Sequence, residues 1–204
     1  MGKLNIVSGN ILDYLKNMDA IVNSANEYMI SGSGVCGSIY KASGKEELEK
    51  YCKDNFSSNM KTNEIRITPG FDLGMDIMHI YCPKAYQTKE PIAELVNSYS
   101  ELLFAAANNG YKNIISVSLG TGVHGYKHED VVGPVLGLVK HYLELPNTEK
   151  VNLTLVLPND EIRDLYIDHE PLTYEEFRKL SNEGKGIRYV ELSPKDKLKV
   201  RLTM

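Results

Sequence analysis

Two short stretches of this chain carry glycine at a spacing that could serve a ligand, GSGVCG at 32–37 and GTGVHG at 120–125. Glycine lets backbone N–H groups approach an anion closely, and the start of a following helix adds favourable partial charge, so no lysine is required. Each stretch follows a run of apolar residues and precedes a helical pattern. In a parallel sheet such loops gather along the carboxyl edge of the strands. Two of them facing one crevice suit a diphosphate. Near them in sequence stand other groups able to do chemistry: the amide-rich turn NSAN at 23–26, the thiol of Cys36 and the imidazole of His124.

The commoner phosphate motifs do not fit. GSGVCG satisfies G-x-G-x-x-G, but a dinucleotide fingerprint needs its first glycine at the turn directly after a strand. Here the run DAIVN ends near Asn23, and residues 24–31 intervene before Gly32. A loop of the form G-x-x-x-x-G-K-[ST] fails as well. Too many residues separate Gly37 from Gly44, and Glu46 follows Lys45. Three cysteines, Cys36, Cys52 and Cys82, form no C-x-x-C pair and are odd in number, which fits reduced thiols. His79 and Cys82 make a bare H-x-x-C without a second pair, so no metal site is expected.

The elements that must position these groups follow from pattern. At 204 residues the chain suits one well-packed domain with a single core. LNIVSG (4–9) and DAIVNSAN (19–26) read as buried strands running into polar turns, with ILDYLK between them as a helical turn or two. After the first glycine stretch, Leu48, Tyr51 and Cys52 fall at helical spacing and predict one surface helix. EIRITPG and DIMHIYCP read as strands stopped by proline. PIAELVNSYSELLFAAANNG reads as a long helix from Pro91 to Gly110. A strand over 114–119 leads into the second glycine stretch, and HEDVVGPVLGLVKHYLEL resumes a helix with Glu129 and Asp130 in its first turn. VNLTLVLP is a further strand, DEIRDLY and TYEEFRKLSNEG look helical, GIRYVEL is a short strand, and SPKDKLKVRLTM is an edge strand or a loose end. Strands alternating with helices predict an α/β fold, a three-layer α/β/α sandwich with a mixed, largely parallel central sheet.

Composition excludes several classes. The net charge of −4 and a pI near 5.8 argue against a nucleic-acid partner, because phosphate backbones are bound through clustered Lys and Arg. No apolar run approaches the roughly 20 residues that span a bilayer, and the opening MGKLNIVSGN lacks the apolar core of a signal peptide. The expectation is a cytoplasmic monomer without a membrane partner.

Five features in order, GNI at 9–11, DAIVNSAN, GSGVCGSIYKASG, the pair ITPG and IMHIYCP, and SVSLGTGVHGY, resemble the macro domain, the ADP-ribose-binding family. The resemblance covers roughly 4–166. It implies a macro domain over 1–168 with 169–204 as a C-terminal extension packed on or continuing it. It implies ADP-ribose or an ADP-ribosylated protein as partner and no cofactor. Asn10 and Ile11 match the place that meets adenine, with Asn10 standing for the usual Asp and losing the charge-assisted part of that contact, worth about 1 kcal/mol. Asn26 matches the residue that orients the distal ribose, and Asn23 matches a support of that loop. Gly34, Val35 and Gly37 match the loop whose amides hold the distal phosphate. Gly120, Thr121, Gly122, Val123, His124 and Gly125 match the second phosphate loop. Leu157 or Pro158 supplies an apolar face to the adenine.

Two positions depart from the family pattern. His124 stands where Phe or Tyr is usual, either as an aromatic substitute or as a proton-transfer group near the ribose. Cys36 stands ten residues after Asn26, where hydrolases of the MacroD type carry an Asp. It is read either as a small packing residue or as a thiol whose pKa the helix start would lower. The resemblance implies a hydrolase of mono-ADP-ribosyl-protein or O-acetyl-ADP-ribose esters, with Asn26, Cys36 and His124 as the candidate catalytic residues. The alternative is a non-catalytic reader of ADP-ribose.

Overall fold

The computed structural model describes residues 2–146, 150–173 and Glu176. Its strands are β1 (Leu4–Ser8), β2 (Ala20–Ser24), β3 (Ile65–Thr68), β4 (Asp76–Ile80), β5 (Asn113–Val117) and β6 (Asn152–Leu157). They form one sheet in the order β1, β6, β5, β2, β4, β3. Every pairing from β1 to β4 is parallel, and β3 closes the edge antiparallel to β4. The sheet is therefore mixed and largely parallel.

Strand alternation assigns the two faces. Ala20, Val22, Met78, Ile80, Ile114 and Leu153 pack with helices α3 (Pro91–Asn108) and α4 (His128–Glu144). Their odd-numbered neighbours Ile21, Ile77 and Ile115 point to the other face, under α1 (Gly34–Ala42) and α2 (Lys45–Asn55). Helix α5 (Asp160–Asp168) joins α4 over Leu155 and Leu157 through Tyr166. The result is three layers, α/β/α. Helix α3 holds its place by burying Leu95, Tyr99, Leu102 and Leu103 completely, each such side chain contributing on the order of 2 kcal/mol.

Several local expectations change. The single surface helix predicted after the first glycine stretch is two helices, broken where Gly44 takes φ +79, a conformation that only glycine adopts freely. Gly34, Val35, Cys36 and Gly37, read in sequence as loop, are the first turn of α1. Residues 11–14 form a 3-10 turn. Leu172 packs against the α3/α4 core and its N–H donates to the carbonyl of Gly133 at 3.3 Å, so the chain past α5 returns to α4. The helix, strand and tail read in TYEEFRKLSNEG, GIRYVEL and SPKDKLKVRLTM lie outside the described residues.

Candidate functional site

The parallel strands β1, β6, β5 and β2 all deliver their carboxyl ends to one side of the sheet, and a cavity of about 340 Å³ opens there. Its walls come from Gly9, Asn10 and Ile11 after β1, Ser24 at the end of β2, Val117 and Ser118 at the end of β5, and Val156, Leu157 and Pro158 at the end of β6. Ser33, Gly34, Val35 and Cys36 from the start of α1, residues 120–124 and His128 complete it.

Backbone amides are the chief polar resource of one end. Ser33 occupies the N-cap of α1 but makes no side-chain capping bond, so the first N–H groups of that helix are left without a side-chain partner where residues 33–36 line the cavity. Across from them the loop after β5 is pinned by Gly125 N–H to the carbonyl of Gly122 at 3.1 Å and Tyr126 N–H to that of Gly120 at 3.2 Å. The N–H groups of Thr121, Gly122, Val123 and His124 have no partner among the described residues. Two glycines are fixed by steric need. A Cβ on Gly37 would lie 2.4 Å from the carbonyl oxygen of Gly32, and Gly120 has φ +76 with a would-be Cβ 2.7 Å from the Tyr126 ring.

The amide residues behave differently from one another. Asn10 is exposed, and its side-chain oxygen accepts from Leu12 N–H at 3.1 Å, capping the 3-10 turn that presents buried Ile11 to the cavity. Asn26 does not line the cavity. Its Nδ2 donates to the Ile30 carbonyl at 2.6 Å and its Oδ1 accepts from the N–H groups of Tyr28 and Ile30 at 3.2 and 3.3 Å, so it ties its own turn. Asn23 is fully buried beneath that turn and bonds His79 Nδ1 at 3.1 Å, while its Oδ1 has no partner. His79 Nε2 bonds Thr68 at 3.0 Å, and burial pushes its pKa down to about 3. The H-x-x-C histidine is thus a neutral support under the Asn23 loop.

Cys36 lines the cavity at 8% exposure with its Sγ 3.9 Å from the Ile30 carbonyl. Burial raises its pKa, with hydrogen bonds from the Gly32 backbone and Asn23 opposing only in part. The lowering anticipated from the helix start does not win, and the residue is a neutral thiol at pH 7. His124 is buried, its ring edge-on to Tyr81 at 6.0 Å, and its Nδ1 is inaccessible and unpartnered. Burial lowers its pKa, with Lys84 adding to the effect and the carbonyls of Pro83 and Cys82 opposing it. The ring packs as an aromatic residue. Val123 is 79% exposed at the rim, whereas Leu157 is fully buried in the wall. Gly37 and Gly125 support the walls from behind and do not line them.

Sequence reading missed a second group of polar residues. Ser118 and His128 line the cavity, and both bond the buried Tyr166 hydroxyl of α5, at 2.9 and 3.2 Å. Each residue alone is unremarkable in sequence. The only available signal was that His128 opens a helix directly behind a glycine-rich loop.

The Macro domain family profile matches residues 22–133. The chain is 31% identical over 169 residues to the O-acetyl-ADP-ribose deacetylase of Enterobacter cloacae, covering 80% of this chain and 91% of that protein. It is 29% identical over 153 residues to the ADP-ribose glycohydrolase MACROD2 of Xenopus laevis, covering 74% of this chain but 35% of that longer protein. Among solved structures, a mutant Oceanobacillus iheyensis macrodomain with ADPR superposes with a TM-score of 0.72 at 27% identity, over 88% of this chain and 94% of the other.

Proposed function

The chain belongs to the macro domain family, and from that premise we propose that it binds ADP-ribose or ADP-ribosyl groups and hydrolyses mono-ADP-ribosyl-protein or O-acetyl-ADP-ribose esters. One observation carries the reading: a single cavity lined by two segments with unclaimed backbone amides and by a group of apolar side chains. The amides of residues 34–36 and 121–124 suit a diphosphate. Ile11, Val117, Val156 and Leu157 suit a flat heteroaromatic base. The names of the relatives, an O-acetyl-ADP-ribose deacetylase and an ADP-ribose glycohydrolase, support the same chemistry.

In this reading the diphosphate is clamped and the distal ribose is held near Cys36 and the turn tied by Asn26. For an ADP-ribosyl ester, water attacks the anomeric carbon of that ribose. The bond to the leaving carboxylate breaks with its electron pair on the carboxylate, and a phosphate oxygen of the substrate takes the water's proton. For an O-acetyl ester, water attacks the acetyl carbonyl, the bond from that carbon to the ribose oxygen breaks, acetic acid leaves, and the ribose oxygen takes the proton that restores its hydroxyl. Positioning supplies the main catalytic effect. Asn26 acts by holding the turn, and Cys36 and His124 act as packing groups.

A reader without catalysis is the second reading, and a specific feature favours it. No Asp or Glu lines the cavity among the described residues, and its one thiol is held neutral. A release assay on mono-ADP-ribosylated protein separates the two. Turnover by the wild-type chain supports the hydrolase. Saturable binding without release at equal enzyme and substrate leaves the reader alone standing.

A further inference from the structure

The apolar end of the cavity contains one polar assembly that the proposed reaction does not use. Ser118 follows β5, His128 opens α4, and Tyr166 lies in the last turn of α5, so three separate parts of the chain meet at one phenolic oxygen. The Tyr166 ring is 1% exposed and packs with Leu155 and Leu157, while its edge meets the imidazole of His128 at a centroid distance of 5.7 Å and 74°. Ser118 Oγ lies 2.9 Å from the Tyr166 hydroxyl and His128 Nδ1 lies 3.2 Å from it. The imidazole is therefore oriented through its T-shaped contact with the Tyr166 ring and through one nitrogen.

Its other nitrogen, Nε2, has no hydrogen-bond partner among the described residues, and His128 lines the cavity on the side of Ser118 and Leu157. We infer that His128 is a specificity-determining residue, oriented by Tyr166 and Ser118 so that Nε2 hydrogen-bonds a ribose hydroxyl on the nucleoside half of the ligand. The inference rests on the ADP-ribose reading above.

A hydroxyl suits this atom better than a phosphate does. Burial lowers the pKa of His128 and raises that of Tyr166 to about 12, so the assembly is uncharged at pH 7 and offers a phosphate no ion pair. The carboxylate of Glu129, next in the chain, acts on both groups and opposes a further anion. A ribose hydroxyl both donates and accepts, so it pairs with Nε2 in either imidazole tautomer. The neighbouring wall residues Val117, Val156 and Leu157 offer no side-chain polar atom, which leaves His128 to distinguish a ribonucleoside from a flat apolar ring.

Calorimetry with the whole chain tests this, using ADP-ribose and its analogues that lack the 2′- or the 3′-hydroxyl of the adenosine ribose. His128→Phe keeps a ring without the nitrogens, and Tyr166→Phe keeps the buried ring without the hydroxyl. Each is expected to weaken ADP-ribose binding about tenfold, the worth of one oriented hydrogen bond. The wild-type advantage should shrink to about twofold or less against one of the two deoxy analogues. His128→Gln, whose amide can replace Nε2, should recover part of the loss. Tyr111→Phe removes a hydroxyl bonded to Asp76 instead, and should leave affinity unchanged.

Wild-type affinity in both Phe variants, or an equal loss for natural and deoxy ligands, overturns the inference while leaving the ADP-ribose reading intact. Equal loss would assign the assembly to the fold alone. If the wild-type chain itself fails to bind ADP-ribose, the functional reading falls and this inference falls with it.

Discussion

The two ends of the cavity are built from different materials. Toward α1 and the loop at 120–125 the polar contacts on offer come mainly from backbone, and the side chains there serve to shape that backbone: Asn26 ties its turn, Asn23 and His79 support it from below, and glycine at 37 and 120 admits close approach. Toward β6 and α5 the contacts on offer are side chains, with an apolar wall and the Ser118, Tyr166 and His128 assembly. A backbone site tolerates exchange of the residues that line it but not of those that set its course. A side-chain site has the opposite sensitivity.

The largest effect expected from this contrast is at Gly120. Gly120→Ala places a methyl group against the Tyr126 ring in a left-handed conformation, and should cost about 3 kcal/mol of stability in urea unfolding. A loss below about 1 kcal/mol would mean that the loop relaxes freely, and the backbone end would not be rigid.

Low pH probes the support beneath that end. His79 is neutral in the folded protein down to about pH 3, whereas its unfolded counterpart takes a proton near 6.5. The unfolded state therefore binds more protons between these values. The contribution of His79 is complete above about pH 6.5 and is lost as pH falls toward 3, at up to about 1.4 kcal/mol per pH unit. The lowered values of His124 and His128 act with the same sign. Chemical denaturation at a series of pH values should show this slope, and His79→Gln should flatten it.

At the side-chain end, loss of the Tyr166 hydroxyl should change affinity by the factor given above with little change in fold. Smallest of all should be Cys36→Ala. Because the thiol is neutral and lines a wall whose useful atoms are backbone, ADP-ribose affinity and any release rate should stay within about threefold of wild type, a difference well under 1 kcal/mol. A loss of a hundredfold in release at unchanged affinity would instead make the thiol catalytic.

The same contrast explains what the sequence made legible. Strands β1, β2, β5 and β6 announce themselves as short apolar runs closed by turn residues, and α3 by its Pro91 start and apolar period, so the layer order could be read directly. The backbone end was legible because glycine spacing is local. Even there, the break at Gly44 and the entry of Gly34 into α1 depended on where the chain must turn to reach the sheet, which periodicity does not encode. The turn at Asn26 could be read from its residue types, but the three hydrogen bonds that fold the Asn26 amide back onto residues 28 and 30 could not. The side-chain end was not legible. Residues 118, 128 and 166 belong to three elements and share no spacing, and only the packing of α5 beside α4 brings them to one oxygen.

The most direct test of the central claim is calorimetric titration of the wild-type chain with ADP-ribose, alongside Gly37→Val. The account predicts saturable one-to-one binding by the wild type and its loss in the variant, whose side chain would meet the Gly32 carbonyl and displace the start of α1. No heat of binding at near-millimolar ADP-ribose in a wild-type protein shown to be folded would contradict it.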